Sequence, residues 1–155
     1  MPRAWRIVKR KYAAEAFDGE GARLYGGRWS SPGTRTVYVA ESLALATLEI
    51  LVHLQSPVLP TDYVIFTVDI PPDGVEILPE SALPVNWRLY PPPPENQSIG
   101  DEWTRQRSSL ALRVPSAITT TDFNYLLNPQ HPDFHLLAIQ GPSDLDIDPR
   151  VFQSE

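Results

Sequence analysis

Two charged side chains in this 155-residue sequence lie where their chemistry could serve a ligand. Arg28 follows the pair Gly26 and Gly27, and an arginine fork beside glycines that allow close backbone approach suits phosphate or carboxylate groups. An ordinary surface turn whose arginine pairs with a nearby acid has the same pattern. The motif alone therefore leaves an anion site and a plain turn equally open.

Glu49 is the second charged candidate, because it lies within the apolar run Leu43–Leu54. A carboxylate in an apolar helix must be paired, protonated or directed into a cleft, since burying it alone is very costly. One interpretation is a buried ion pair with His53, four residues further on, or with an N-terminal arginine. The other, which we prefer, is a carboxylate that faces a cationic site or transition state.

Several uncharged polar residues could complete a binding site. Tyr38 precedes the Leu43–Leu54 run and could stack on a ligand, although a core tyrosine is the more common outcome. Ser116, Asn124 and Asn128 could each fix a polar ligand. Taken singly, each of these three is more typical of a residue that caps a turn.

The sequence excludes several classes of chemistry. There is no cysteine, and hence no disulfide framework, thiol nucleophile or thiolate metal site. His131 and His135 are four residues apart, but Pro132 lies between them and no carboxylate-rich partner accompanies them, so no metal is expected. No phosphate-binding Walker loop, dinucleotide-binding glycine motif or nucleophile elbow is present.

Charge is unevenly distributed along the chain. The net charge is −6, yet residues 1–35 hold eight of the 13 basic residues and only three of the 19 acidic ones. This asymmetry predicts a local anion site, and the acidic total argues against direct DNA binding. No apolar run is long enough for a signal peptide or a membrane span, so we expect a cytoplasmic protein without membrane association.

The elements that must position these residues are predicted from local patterns. In the first half we expect one helix, Leu43–Leu54, which Ser42 caps and which is apolar nearly all round and therefore buried. The other expected elements are a short strand followed by a polar turn over Ala4–Tyr12, strands at Thr36–Ala40 and Asp62–Ile70, and a glycine-rich loop or irregular hairpin over 18–35.

The second half is richer in proline, of which the chain has 17. We expect a surface loop over 79–100 around Pro91–Pro94, and then a helix leading into a strand over Trp103–Val114. Asp122–Leu127 is expected to be one helical turn, and His135–Gln140 and Leu145–Ile147 to be strands. The fold class is then α+β: a single domain over residues 1–155, with a mixed, mostly antiparallel sheet and a buried central helix.

Five short blocks follow one another along nearly the whole chain. They are Gly26–Trp29, Val37–Ser42, Leu48–Leu54, Val114–Ser116 and Asn124–Pro132. In this order they resemble the RES domain family, which is named after an arginine, a glutamate and a serine. These correspond to Arg28, Glu49 and Ser116. One position departs from the family pattern, because Ser30 stands where the family often has asparagine.

The resemblance implies an ADP-ribosyltransferase-like fold and the toxin of a bacterial type II toxin–antitoxin pair. Such toxins deplete NAD+ by cleaving its nicotinamide–ribose bond, by hydrolysis or with inorganic phosphate, and some members instead transfer ADP-ribose to a protein. NAD+ is then the substrate, and no other cofactor is expected. The implied partner is a helix-turn-helix antitoxin whose C-terminal part covers the active site. The resemblance does not decide whether the toxin forms a homodimer within that complex.

The resemblance also implies roles for individual residues. Glu49 would stabilise the oxocarbenium-like ribose, while Arg28 and Arg6 would bind the pyrophosphate. Tyr38 would stack on or orient the nicotinamide, and Ser116 would hydrogen-bond the ribose or the carboxamide. A non-catalytic module whose basic N-terminus binds a partner is the alternative, and Lys9, Arg10 and Lys11 have no assigned role. The other residues expected to line the pocket are Trp29, Ser30, Asn124 and Asn128.

Overall fold

The structure, a computed structural model, describes residues 2–53 and 62–152. Its strands are β1 (Arg3–Lys9), β2 (Val37–Ala40), β3 (Tyr63–Asp69), β4 (Val75–Ile77), β5 (Ala111–Pro115), β6 (Phe123–Leu127) and β7 (Ala138–Asp144). They form one sheet in the order β4-β5-β6-β2-β1-β3-β7. All neighbouring pairs are antiparallel except β4 and β5. The predicted α+β class with a mostly antiparallel sheet is therefore confirmed.

Three α-helices accompany the sheet in the described part of the chain. No helix there is long and apolar enough to cross a membrane. The α-helices are α1 (Glu20–Tyr25), α2 (Leu43–Leu51) and α3 (Pro94–Gln106), and short 3-10 helices span Arg10–Glu15, Pro72–Gly74, Glu80–Ala82, Phe134–Leu136 and Pro149–Phe152.

Helix α2 begins as predicted but is not buried all round. The Ser42 hydroxyl accepts a hydrogen bond from the Leu45 backbone N–H at 3.0 Å, which confirms the N-cap. Its buried residues are Leu45, Ala46 and Thr47, whereas Leu48 is 38% exposed. The expectation of burial all round was wrong, because only part of α2 is buried, where it packs against β1 and β2. Leu54, its predicted end, lies outside the described residues.

Two predicted elements of the second half were also wrong. Asp122–Leu127 is not a helical turn, because residues Phe123–Leu127 form β6 between β2 and β5. A short run of apolar residues is ambiguous between helix and strand, and here pairing on both edges decides it. The predicted surface loop over 79–100 ends earlier, since α3 already begins at Pro94, a residue well suited to the first turn of a helix.

Smaller differences concern loops and strand ends. The loop predicted over 18–35 contains α1, while Leu145–Ile147 forms no strand. Of the strand predicted at His135–Gln140, the part from Ala138 onward belongs to β7. These residues lie near element ends, where local sequence patterns locate boundaries poorly.

The sheet has a weak seam near its middle. Strand β1 pairs with β2 at one position only, Trp5 opposite Ala40, whereas β1 pairs with β3 along its whole length. Helix α2 packs on both sides of this seam, because Leu45 and Ala46 form one apolar cluster with Ala40, against which Trp5 and Ile7 pack. The fold thus places α2, and with it Glu49, against both β1 and β2.

Candidate active site

The carboxylate of Glu49 is positioned by two side chains from the neighbouring sheet. The Ser116 hydroxyl donates to its Oε1 at 3.0 Å, and Nδ2 of Asn124, on β6, donates to the same oxygen at 2.9 Å. Within residues 2–53 and 62–152, Oε2 accepts no hydrogen bond. Glu49 itself is only partly buried. One oxygen is therefore fixed by the protein, which leaves the other to interact with a ligand.

Ser116 contacts Glu49 from a buried position. It is fully buried directly after β5, and its Oγ accepts hydrogen bonds from the backbone N–H groups of Ile118 and Thr119 at 3.0 and 3.3 Å. These two donors orient the hydroxyl so that its proton points to Glu49. The predicted hydrogen bond from Ser116 to the ribose or the carboxamide stays a prediction.

Arg28 lies close to this carboxylate but forms no ion pair with it. Its Nη1 donates to the carbonyl oxygens of Trp87 and Leu89 at 2.9 and 2.8 Å. Partial burial lowers the pKa of Arg28, and the negative charge of Glu49 opposes that shift. The guanidinium therefore keeps a positive charge that no carboxylate in the described residues neutralises, which suits an anionic ligand. The ion pair of Glu49 with His53 or an arginine is not found among the described residues.

Tyr38 supports the loop that carries Arg28. Its hydroxyl lies 2.6 Å from the Ser30 Oγ and accepts a hydrogen bond from the Trp29 N–H at 3.2 Å. Gly27 permits this packing, because a Cβ there would lie 2.6 Å from the phenolic oxygen. Burial raises the pKa of Tyr38 to about 12, so the phenol stays protonated at neutral pH.

Trp29 and Ser30 are buried and act through this packing. The Trp29 ring stacks against Trp87 with ring centroids 6.1 Å apart, and Ser30 has no exposed surface. Gly27 is thus close to the Tyr38 ring, and Gly26 is close to Pro32 and the Ser30 carbonyl. The predicted contact of Trp29 and Ser30 with the substrate stays a prediction.

Two other predicted site residues, Arg6 and Asn128, form their hydrogen bonds away from Glu49. Arg6 donates from Nε to the Ala16 carbonyl at 2.6 Å and from Nη1 to the Tyr38 carbonyl at 2.9 Å. Burial lowers its pKa to about 10. Asn128 is fully buried and donates to the Thr104 carbonyl at 3.0 Å. Both residues hold backbone segments in place, and neither forms a hydrogen bond with Glu49, Ser116 or Asn124.

Sequence reasoning missed the segment that holds Arg28. Residues 87–90, which we call the strap, run past the arginine, and Asn96 of α3 donates to the same Trp87 carbonyl at 2.7 Å. Arg88, on the strap, donates to the Ala117 carbonyl from Nε and Nη2 at 3.0 and 2.8 Å. Backbone carbonyls carry no side-chain signature, so no local pattern could have revealed these contacts.

The histidines considered as metal ligands have other surroundings. Nδ1 of His131 accepts a hydrogen bond from the Asp133 N–H at 3.0 Å, and His135 is exposed in a short 3-10 helix. Within the two described segments, no group of three or more acidic or histidine side chains could hold a metal ion.

Comparison with known proteins gives a consistent picture along the chain. A family model described as RES domain matches residues 3–149. "Toxin Res" of Yersinia enterocolitica is 40% identical over 148 residues, which is 95% of this chain and 97% of that protein. "Toxin Res" of Photorhabdus laumondii is 43% identical over 152 residues, 97% of each protein.

A third relative has a more specific name, and one solved structure shares the fold. "Prs ADP-ribosylating toxin" of a Sphingobium species is 35% identical over 154 residues, 96% of each protein. The toxin–antitoxin complex MbcT–MbcA of M. tuberculosis matches with a TM-score of 0.76 at 19% identity, covering 97% of this chain and 86% of that one. At 19% identity, this similarity supports a shared fold and nothing more.

Proposed function

Because this chain belongs to the RES domain family, we propose that it is the toxin of a bacterial toxin–antitoxin pair and that it cleaves the nicotinamide–ribose bond of NAD+. The observation that carries the proposal is the Glu49 carboxylate, bound through Oε1 by Ser116 and Asn124 beside the charged Arg28. A fixed anion and an adjacent cation match a substrate with a cationic nicotinamide-ribosyl end and an anionic diphosphate.

The chemistry of this bond needs one carboxylate. Nicotinamide leaves the ribosyl carbon as a neutral ring, so no acid has to protonate it, unlike the leaving group in an ordinary glycoside. Positive charge develops on the ribose as the bond lengthens. The second oxygen of Glu49 would stabilise that charge or bind the ribose hydroxyls, and an anion fixed in advance costs no reorganisation at the moment of reaction.

The remaining residues would bind the substrate and keep Glu49 in place. Arg28 would contact the diphosphate. The protonated phenol of Tyr38 supports the Arg28 loop through Ser30 and Trp29, and its ring is the surface nearest that loop on which nicotinamide could lie. Asn124 and Ser116 orient the carboxylate.

Transfer of ADP-ribose to a protein is the second candidate function. It is favoured by the relative named Prs ADP-ribosylating toxin, which is 35% identical over nearly the whole chain. Hydrolysis, phosphorolysis and protein transfer share the same bond cleavage and differ only in the nucleophile that attacks the ribose. The Glu49 site suits all three.

An antitoxin partner is part of the proposal. Apolar side chains are exposed around the site: Val52 at the end of α2 is 58% exposed, and Leu89 and Tyr90 on the strap are 59% and 75% exposed. The ring of His53 lies 6.4 Å from that of Tyr90, so the end of α2 and the strap are neighbours. An apolar segment of the antitoxin would cover this surface and the site together.

Nicotinamide release from NAD+ tests the proposal. We expect the purified chain to release nicotinamide and Glu49→Gln to reduce the rate by about 100-fold or more, because the neutral amide cannot stabilise the ribosyl cation. Glu80→Gln is the matched control, since Glu80 begins an exposed 3-10 helix. Chromatography with phosphate present and absent separates phosphorolysis from hydrolysis.

Two outcomes would contradict the proposal. Intact NAD+ after incubation with the antitoxin-free chain, both with and without phosphate, would remove the glycohydrolase and phosphorylase activities. Label from adenylate-labelled NAD+ appearing on a protein of a lysate would then support ADP-ribosylation. If Arg28→Ala and Glu49→Ala both left growth inhibition unchanged, the chain would be a non-catalytic binding module.

A further inference from the structure

Two arginines near Glu49 are anchored by backbone carbonyls and by no acid. The carbonyls that bind Arg28 belong to Trp87 and Leu89, the residues on either side of Arg88. Arg88 in turn donates two N–H groups to the carbonyl of Ala117. Because Ala117 directly follows Ser116, which hydrogen-bonds Glu49, the two arginines and the carboxylate belong to one connected series of contacts.

The two arginines lack an ion-pair partner, although the charge of Glu49 acts on Arg28. Neither Arg28 nor Arg88 forms an ion pair in the described parts of the chain, whereas Arg3 and Arg10 pair with aspartates. The charge of Arg88 also contributes to the lowered pKa of Arg28. Like charges repel each other, and an anion bound between the two arginines would offset this repulsion.

We propose that Arg88 is a second phosphate-binding residue, which together with Arg28 forms a clamp for the diphosphate of a dinucleotide. This inference rests on the proposed function, because it assigns part of the same site. Arg88 is exposed and uses Nε and Nη2 on a single carbonyl, so Nη1 stays available to a ligand. A diphosphate offers two charged groups with several acceptor oxygens, which a pair of planar guanidinium forks can bind.

The strap explains why the two residues would act together. Arg28 fixes the strap through the carbonyls that flank Arg88, while Arg88 links the strap to the turn after Ser116. Asn96, fully buried in α3, holds the Trp87 carbonyl from the other side. These contacts hold the strap, and with it the position from which Arg88 would reach a ligand.

Calorimetric titration of ADP and adenosine into the full-length protein tests the clamp. We expect Arg88→Ala and Arg88→Gln to weaken ADP binding by about tenfold or more, because each removes a charge-assisted contact, and to leave adenosine binding unchanged. Glutamine can still donate to the Ala117 carbonyl, so it separates the charge from the anchoring of the strap. Arg105→Ala, which removes an exposed arginine of α3, is the control and should bind ADP normally.

Several results would overturn the clamp. They are unchanged ADP affinity in Arg88→Gln, an equal loss of ADP and adenosine affinity, and a wild-type chain that does not bind ADP. The second result would mean that Arg88 only maintains the shape of the strap. Binding of ADP involves no bond cleavage, so a chain that leaves NAD+ intact but binds ADP through Arg88 would contradict the proposed function and keep the clamp.

Discussion

At the scale of single residues, the candidate site is defined by which side chain touches which. Glu49 was selected by its surroundings in the sequence, and the structure adds that one oxygen is bound by Ser116 and Asn124. Ser116 is fully buried, and its Oγ is engaged by two backbone N–H groups. The serine therefore contributes through the carboxylate that it orients.

The positioning role of Ser116 leads to a kinetic prediction. Ser116→Ala should lower the kcat of nicotinamide release by about 10- to 100-fold with little change in KM, because Glu49 loses a hydrogen bond worth about 1.5–3 kcal/mol. Asn124→Ala should do the same without disturbing the turn after β5. Ser108→Ala, at an exposed serine, is the control. A rise in KM alone would instead place Ser116 in contact with the substrate.

At the scale of elements, the Arg28 loop depends on its packing against α3. Gly100 lies where this helix crosses the loop, and a Cβ there would lie only 1.6 Å from the carbonyl oxygen of Trp29. Asp101, the next residue, accepts hydrogen bonds from the backbone N–H and the hydroxyl of Ser31. The loop and the helix are therefore in direct backbone contact.

This contact predicts opposite effects for two glycine substitutions. Gly100→Ala should lower the free energy of unfolding by about 3 kcal/mol, because the helix or the loop must move apart. Gly21→Ala, in α1, has no atom within 4 Å of the added Cβ and should stabilise the protein by up to about 1 kcal/mol. Urea denaturation followed by tryptophan fluorescence measures both, and equal stabilities would show that α3 does not press on the Arg28 loop.

At the scale of the whole molecule, the basic first third does not form one anion site. Arg3, Arg10, Arg23 and Arg35 each pair with an acidic residue, so much of the local positive charge is compensated on folding. Arg28 reaches the candidate site. Arg6 instead bridges β1 and β2 across the weak seam of the sheet by donating to the Tyr38 carbonyl.

The bridging contact predicts a stability effect rather than a binding effect for Arg6. Arg6→Ala should lower the free energy of unfolding by about 1–3 kcal/mol, because the carbonyls of Ala16 and Tyr38 lose their donors. Binding of ADP by the folded fraction should not change. Thermal denaturation and calorimetry on the same samples test this, and a loss of ADP affinity at unchanged melting temperature would restore the predicted pyrophosphate contact.

The sequence by itself determined which side chains are available for chemistry and much of the local structure. Strands β1, β2 and β3 and the cap at Ser42 follow from residue types and spacing, because these depend on neighbours along the chain, and the same reasoning proposed Arg28 and Glu49 as candidates. The mostly antiparallel α+β fold followed as well. These features need only periodicity, turn residues and the cost of burying a charge.

Only the tertiary structure decided which contacts each of these residues makes. Phe123–Leu127 became a strand because both of its edges are paired, and Ser116 and Asn124 met Glu49 although 67 and 75 residues separate them along the chain. Arg28 and Arg88 came together through backbone carbonyls, which have no sequence signature. Contacts between distant segments depend on packing and pairing, and these are settled when the whole chain folds.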